Sequence, residues 1–200
     1  LIAVNVDTLA DGEFRNNFFD RAFTFNPDGV LTGARHITLA GDYAYVVTDK
    51  ALVTVHLAKP WSADKPCEVS AKKGGETCLE PRVTSVVPLR DPRGTAVQFR
   101  YLWVTTATGL ELMDVTNLAE PKPVTGATVP LADARRVYLA RTYAYVAAKG
   151  QGLVMVDITA PTRPSIYMSY TADGKLTDAE DVIVASTNAS QFAYVADGRN

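Results

Sequence analysis

Four times the chain spells an aromatic, a small residue (Leu in one copy), a second aromatic and Val: Tyr43-Ala44-Tyr45-Val46, Tyr101-Leu102-Trp103-Val104, Tyr143-Ala144-Tyr145-Val146 and Phe192-Ala193-Tyr194-Val195. Three copies are followed, after a tight turn, by a second segment with Leu at its start and Asp or His four residues on: Leu52 to His56, Leu110 to Asp114 and Leu153 to Asp157. Leu1-Ile2-Ala3-Val4-Asn5 is a further copy of that second segment, without the first before it. Self-similarity at a spacing of roughly 40 to 60 residues constrains the chain to a repeat architecture, in which each unit is one supersecondary element stacked on its neighbours.

Aligned on the aromatic segment, the copies agree without gaps. Asp91 to Tyr101, Asp133 to Tyr143 and Gly33 to Tyr43 each span ten residues; Asp178 opens a fourth copy with extra residues before Phe192. Each unit reads as four short strands with period-two alternation and turn residues between them. The first is Ile37-Thr38-Leu39 or Val137-Tyr138-Leu139, and the second is the aromatic segment, whose composition suits a pleated surface. The third ends on Asp114 or Asp157, with Pro121 or Pro164 seven residues later. An Asp there bonds amides two residues on, and Pro fixes φ for the return. The fourth is 123–129 or 165–170. No stretch shows a 3.6-residue period, so almost no helix is expected.

Four antiparallel strands repeated at this spacing describe a β-propeller blade. The fold class expected is therefore all-β, a partial propeller of about four blades' worth in a single domain spanning 1–200. Complete blades are expected at about 33–90, 91–131 and 133–173, an outer half blade at 1–30 and an inner half blade at 178–200. Through Tyr143-Ala-Tyr-Val, Gly152-Leu-Val-Met-Val-Asp157 and the Pro161 to Pro164 turn, the chain resembles the LVIVD repeat family. The resemblance runs along nearly the whole chain and is strongest over 134–170. It departs at His56 and Asn5, where Asp is expected, and in insertions at 11–20 and 60–80. It implies propeller-like repeats of bacterial or archaeal surface or secreted proteins, without an assigned reaction.

A net charge of −2 gives no electrostatic reason to expect nucleic acid. No apolar run approaches the roughly 20 residues that span a bilayer. Both ends fall inside a strand pattern, which suggests a piece of a longer chain whose remainder, or a partner protein, completes the ring. Cys67 and Cys78 flank a polar loop containing Gly74-Gly75, and a disulfide stabilising by about 2–3 kcal/mol is expected there. The alternative is a redox or metal pair. A disulfide places the chain in the periplasm, at the cell surface or outside the cell.

Blade geometry puts the start of strand one and the turn between strands two and three on one face. Arg35, Arg93, Arg135 and Glu180 occupy one equivalent position there; His36, Gly94, Arg136 and Asp181 occupy the next. Asp91, Asp133 and Asp178 stand two residues ahead of the first set, with Gly33 in their place in the first blade. One reading is an axial pocket for an anionic ligand, with His36, Arg93, Arg135 and Arg136 as donors and Asp181 as a second departure from the repeat. Arg suits carboxylate or phosphate through its planar fork. The competing reading pairs these Asp and Arg residues across neighbouring blades, holding the ring together.

No haem, nucleophile-elbow or phosphate-loop motif is present, and two His in all exclude a His-rich metal centre within this chain. Neither catalytic residues nor a cofactor are expected. The function expected is a non-enzymatic scaffold of a secreted or surface protein that binds a protein or ligand through its face. The alternative is the propeller domain of an extracytoplasmic redox enzyme whose cofactor lies outside this chain.

Overall fold

The computed structural model describes residues 1–4, 22–58, 79–187 and 189–199. The expected Cys67–Cys78 pair, the 11–20 insertion and the 60–80 insertion up to residue 78 lie outside them. Among the described residues there are seventeen strands, no α-helix and one 3₁₀ turn, Pro27–Gly29.

Three sheets have four or five antiparallel strands. The first is β3 (His36–Ala40), β4 (Tyr43–Val47), β5 (Ala51–Ala58) and β6 (Leu79–Pro88). The second is β7 (Gly94–Gln98), β8 (Tyr101–Thr106) and β9 (Gly109–Asp114), with β10 (Lys122–Pro123) and β11 (Val129–Pro130) both against β9. The third is β12 (Arg136–Ala140), β13 (Tyr143–Ala147), β14 (Leu153–Asp157) and β15 (Ser165–Tyr170). Two hairpin-like pairs flank them: β1 (Ile2–Val4) with β2 (Ala22–Thr24), and β16 (Ala179–Ser186) with β17 (Gln191–Asp197). The first strands β3, β7, β12 and β16 contact one another in order, so the sheets fan around a common axis. These are blades of a partial β-propeller.

In β4, β8 and β13 the aromatic strand is buried on both sides, which is why it reads as a nearly unbroken apolar run. Tyr45 and Val47 pack with Leu102, Val104 and Met113 of the second sheet, while Ala44 and Val46 pack the other way, with Leu1, Phe25 and Leu31. Trp103 packs with Val137 and Val154 of the third sheet, and Tyr145 with Val182 and Val184 of β16. The Tyr45 hydroxyl donates to Leu118 O across the boundary at 3.0 Å, and burial pushes its pKa up to about 12.

The third-strand Asp behaves as its position demands. Asp114 Oδ1 accepts from Thr116 N–H at 2.8 Å, and Asp157 Oδ1 accepts from Thr159 N–H at 2.8 Å. At the His56 departure the ring stacks edge-on against Tyr43, with centroids 4.7 Å apart. The expected strand over 123–129 is instead split into β10 and β11. Pro123 and Pro130 lack the amide a continuous ladder needs, and Gly126 turns the chain between them at φ +81°.

Candidate functional site

Where β3, β7 and β12 begin, the backbone turns through a left-handed residue: Gly33 at φ 76°, Asp91 at 51° and Asp133 at 60°. Only Gly, Asn and Asp visit that region cheaply, which accounts for the Gly/Asp alternation at this point of the repeat. Two residues on, the amides of Arg35, Arg93 and Arg135 donate to Val47, Thr105 and Ala147 O, each at 2.8 Å. The same bond in every sheet aims three Arg side chains at the axis.

They enter a circuit of alternating charge. Arg35 pairs with Asp91; Arg93 Nη2 holds Asp91 Oδ2 at 2.7 Å and also pairs with Asp133; Arg135 Nη2 holds Asp133 Oδ2 at 3.2 Å. Glu180 takes the Arg position in the fourth unit, with its Oε2 3.7 Å from Arg135 Nε. Lys149, from the turn after β13, bonds Glu180 and reaches Asp178 Oδ1 at 2.6 Å. Asp91 and Asp133 thus each bond the Arg of their own blade and that of the blade before, whereas Asp178 bonds Lys149. The Arg35 bond, joined by Arg93 and opposed by burial, holds the Asp91 carboxyl below its usual range.

The next layer inward holds His36, Gly94, Arg136 and Asp181. Arg136 spans the opening: Nη1 donates to Arg93 O, and Nη2 lies 3.5 Å from Arg35 O. Gly94 makes room for it, since a Cβ there would sit 2.9 Å from Arg135 O and 3.2 Å from Arg136 Cδ. Among the described residues, neither Arg136 nor Asp181 has an ion-pair partner within 4.0 Å.

His36 faces elsewhere. Its Nδ1 accepts from Thr95 N–H at 3.1 Å, with Thr95 Oγ1 at 3.0 Å, and Thr38 Oγ1 donates to Thr95 O at 3.0 Å. Accepting at Nδ1 assigns the proton to Nε2 of a neutral ring. Burial and then the Arg136 charge lower the His36 pKa, against an opposing pull from Asp181.

Arg35, Asp91, Arg93, Arg135, Arg136, Glu180 and Asp181 line one pocket of about 460 Å³. Four of the five binding candidates read from sequence, Arg93, Arg135, Arg136 and Asp181, therefore meet in one place. His36 stands outside the lining and serves the joint between the first two sheets. Sequence reasoning omitted Lys149, although its turn was placed on this face; a lone Lys in a turn carries no signal until Asp178 and Glu180 are beside it.

Chemically, the pocket offers one guanidinium and one carboxylate that have no ion-pair partner among the described residues, the Asp181 Oδ1 accepting from Val182 N–H at 2.8 Å, set in a frame of paired charges. Among the described residues, no group of three or more His, Cys, Asp or Glu is arranged to hold a metal. No helix among them is long and apolar enough to cross a membrane. Comparison with curated proteins and with solved structures gives no match. The LVIVD repeat family model matches residues 33–59 and 132–172, the inner part of the first sheet and all of the third. Those two segments are similar to LVIVD repeats.

Proposed function

We propose that this chain is a non-enzymatic scaffold of a secreted or cell-surface protein, binding through its axial pocket a carboxylate carried by a small ligand or a partner's acidic side chain. The observation that carries this reading is Arg136. Every other Arg lining the pocket is matched to Asp or Glu, whereas Arg136 is held in place by carbonyl oxygens that do not cancel its charge. A guanidinium already oriented loses little entropy when it takes an anion. The paired circuit supplies the rigid frame on which such recognition depends.

Calorimetric titration with succinate tests it. Saturable binding is expected for the native chain and for Arg100→Met, whose guanidinium pairs with Asp114 away from the pocket. Arg136→Met abolishes it. Absence of saturable binding to the native chain, or binding untouched in Arg136→Met, rejects the reading. The extracytoplasmic setting rests on the expected Cys67–Cys78 disulfide. Thiol titration of the unfolded, unreduced protein checks it, with no free thiol expected.

A further inference from the structure

The third and fourth units meet near the axis with opposite charge at two successive repeat positions. Arg135-Arg136 stand at the start of β12, and Glu180-Asp181 near the start of β16. Matching by position predicts two ion pairs across this boundary. The outer one is made, with Arg135 Nε 3.7 Å from Glu180 Oε2. The inner one is not: Arg136 and Asp181 have no ion-pair partner within 4.0 Å among the described residues.

Local bonds hold these two charges apart. β12 lies between β7 and β16, and Arg136 reaches toward the β7 side. There it donates to Arg93 O, with Arg35 O 3.5 Å from Nη2. Asp181 Oδ1 accepts from the adjacent Val182 N–H, and among the described residues that is the one hydrogen bond its side chain makes. Both residues nonetheless line the same pocket of about 460 Å³. His36 at its edge is acted on by both: burial lowers its pKa first, Arg136 lowers it further, and Asp181 raises it. A held cation and a held anion thus face one space without neutralising each other.

This arrangement discriminates among carboxylate ligands. A plain anion bound at Arg136 meets the like charge of Asp181, and a dianion meets it most strongly. A ligand with an ammonium at its other end turns the same carboxylate into an acceptor. Such a ligand brings no net charge into the frame of Arg35, Asp91, Arg93 and Arg135, whose charges are already matched. The pocket volume lies within the range of roughly 300–1,000 Å³ found for small-molecule sites.

We propose that the axial pocket selects a small zwitterion of the amino-acid class, with its carboxylate on Arg136 and its ammonium on Asp181. The proposal rests on the anion-binding reading of Arg136 and gives that site a second pole. Asp181 sets the specificity, since it favours the zwitterion and disfavours the dianion at once.

Calorimetric titration of the whole chain at pH 7 tests this with glycine, β-alanine and γ-aminobutyrate, each against its chain-matched carboxylate (acetate, propionate and butyrate). The series also reads the distance between the two poles. The amino acid of best length should bind at least about tenfold more tightly than its match, the gain expected of one charge-assisted hydrogen bond. Asp181→Asn keeps an oxygen for the Val182 amide. It should erase that gain, leave the plain carboxylates bound at least as tightly, and tighten succinate roughly twofold to fivefold. No gain for any of the three amino acids, or a gain that survives in Asp181→Asn, overturns the zwitterion while succinate binding keeps the anion reading in place. Loss of the plain carboxylates in Asp181→Asn makes the residue structural and overturns it too. If the native chain binds no carboxylate at all, both readings fall.

Discussion

Removing the Arg93 side chain, by Arg93→Met, is the most informative single perturbation of the axial circuit. Arg93 bonds Asp91 Oδ2 through Nε at 3.1 Å and Nη2 at 2.7 Å, and bonds Asp133 through Nη1. Its side chain is 12% exposed, against 41% for Arg35. Breaking a buried pair costs about 3–5 kcal/mol when the partner charge is stranded. Here Asp91 retains Arg35 and Asp133 retains Arg135, which brings the expectation down to about 2–3 kcal/mol. Arg35→Met removes one bond from an exposed, salt-screened position and should cost no more than about 1 kcal/mol. For a chain of this size, 2–3 kcal/mol lowers Tm by about 4–12 °C. Urea unfolding by linear extrapolation at low and high salt reads both quantities. Equal losses for the two variants, or an Arg93→Met loss that vanishes in 1 M salt, would refute the view that the circuit clamps the blades together from a protected position.

Three further outcomes follow from local geometry. Gly94→Ala pushes a Cβ against Arg135 O and Arg136 Cδ, and should cost about 1–3 kcal/mol while weakening succinate binding in parallel. Binding unchanged in a destabilised Gly94→Ala chain would separate the glycine from Arg136. Tyr45→Phe loses the bond to Leu118 O and should cost about 1 kcal/mol; ultraviolet titration should show one phenol fewer ionising near pH 12. The bonds from Thr116, with help from Arg100, lower the Asp114 pKa to about 2. Its folded value lies below its unfolded value, so its stabilisation is complete above the unfolded pKa near 3.8 and fades as pH falls through about 2. Asp114→Asn should therefore cost about 1 kcal/mol at pH 7, after allowance for solvent screening, with the difference closing in acid unfolding curves.

The strands were legible because their patterning is local: an aromatic segment buried on both faces, then Leu and Asp at fixed spacing, then a Pro turn. The cross-blade reading of Asp91, Arg93, Asp133 and Arg135 was legible for the same reason, since a repeated spacing implies a repeated contact. Residues whose partners depend on unrelated positions were harder to read. Arg136 reaches Arg35 O because residue 94, 42 positions earlier, is Gly. His36 breaks the repeat and looked like a ligand donor, yet its neighbour across the boundary is Thr95, which takes its Nδ1. The break of strand four in the second sheet followed from two prolines whose missing amides matter only once β9 is alongside.

The most direct measurement of the central claim follows the Arg Nε–Hε resonances of the labelled protein while succinate is added. The Arg136 resonance should move with saturation while those of Arg93 and Arg100, already committed to carboxylates, stay nearly still. If no axial Arg resonance moves, or if Arg93 moves and Arg136 does not, the assignment of the pocket to anion recognition by Arg136 is contradicted.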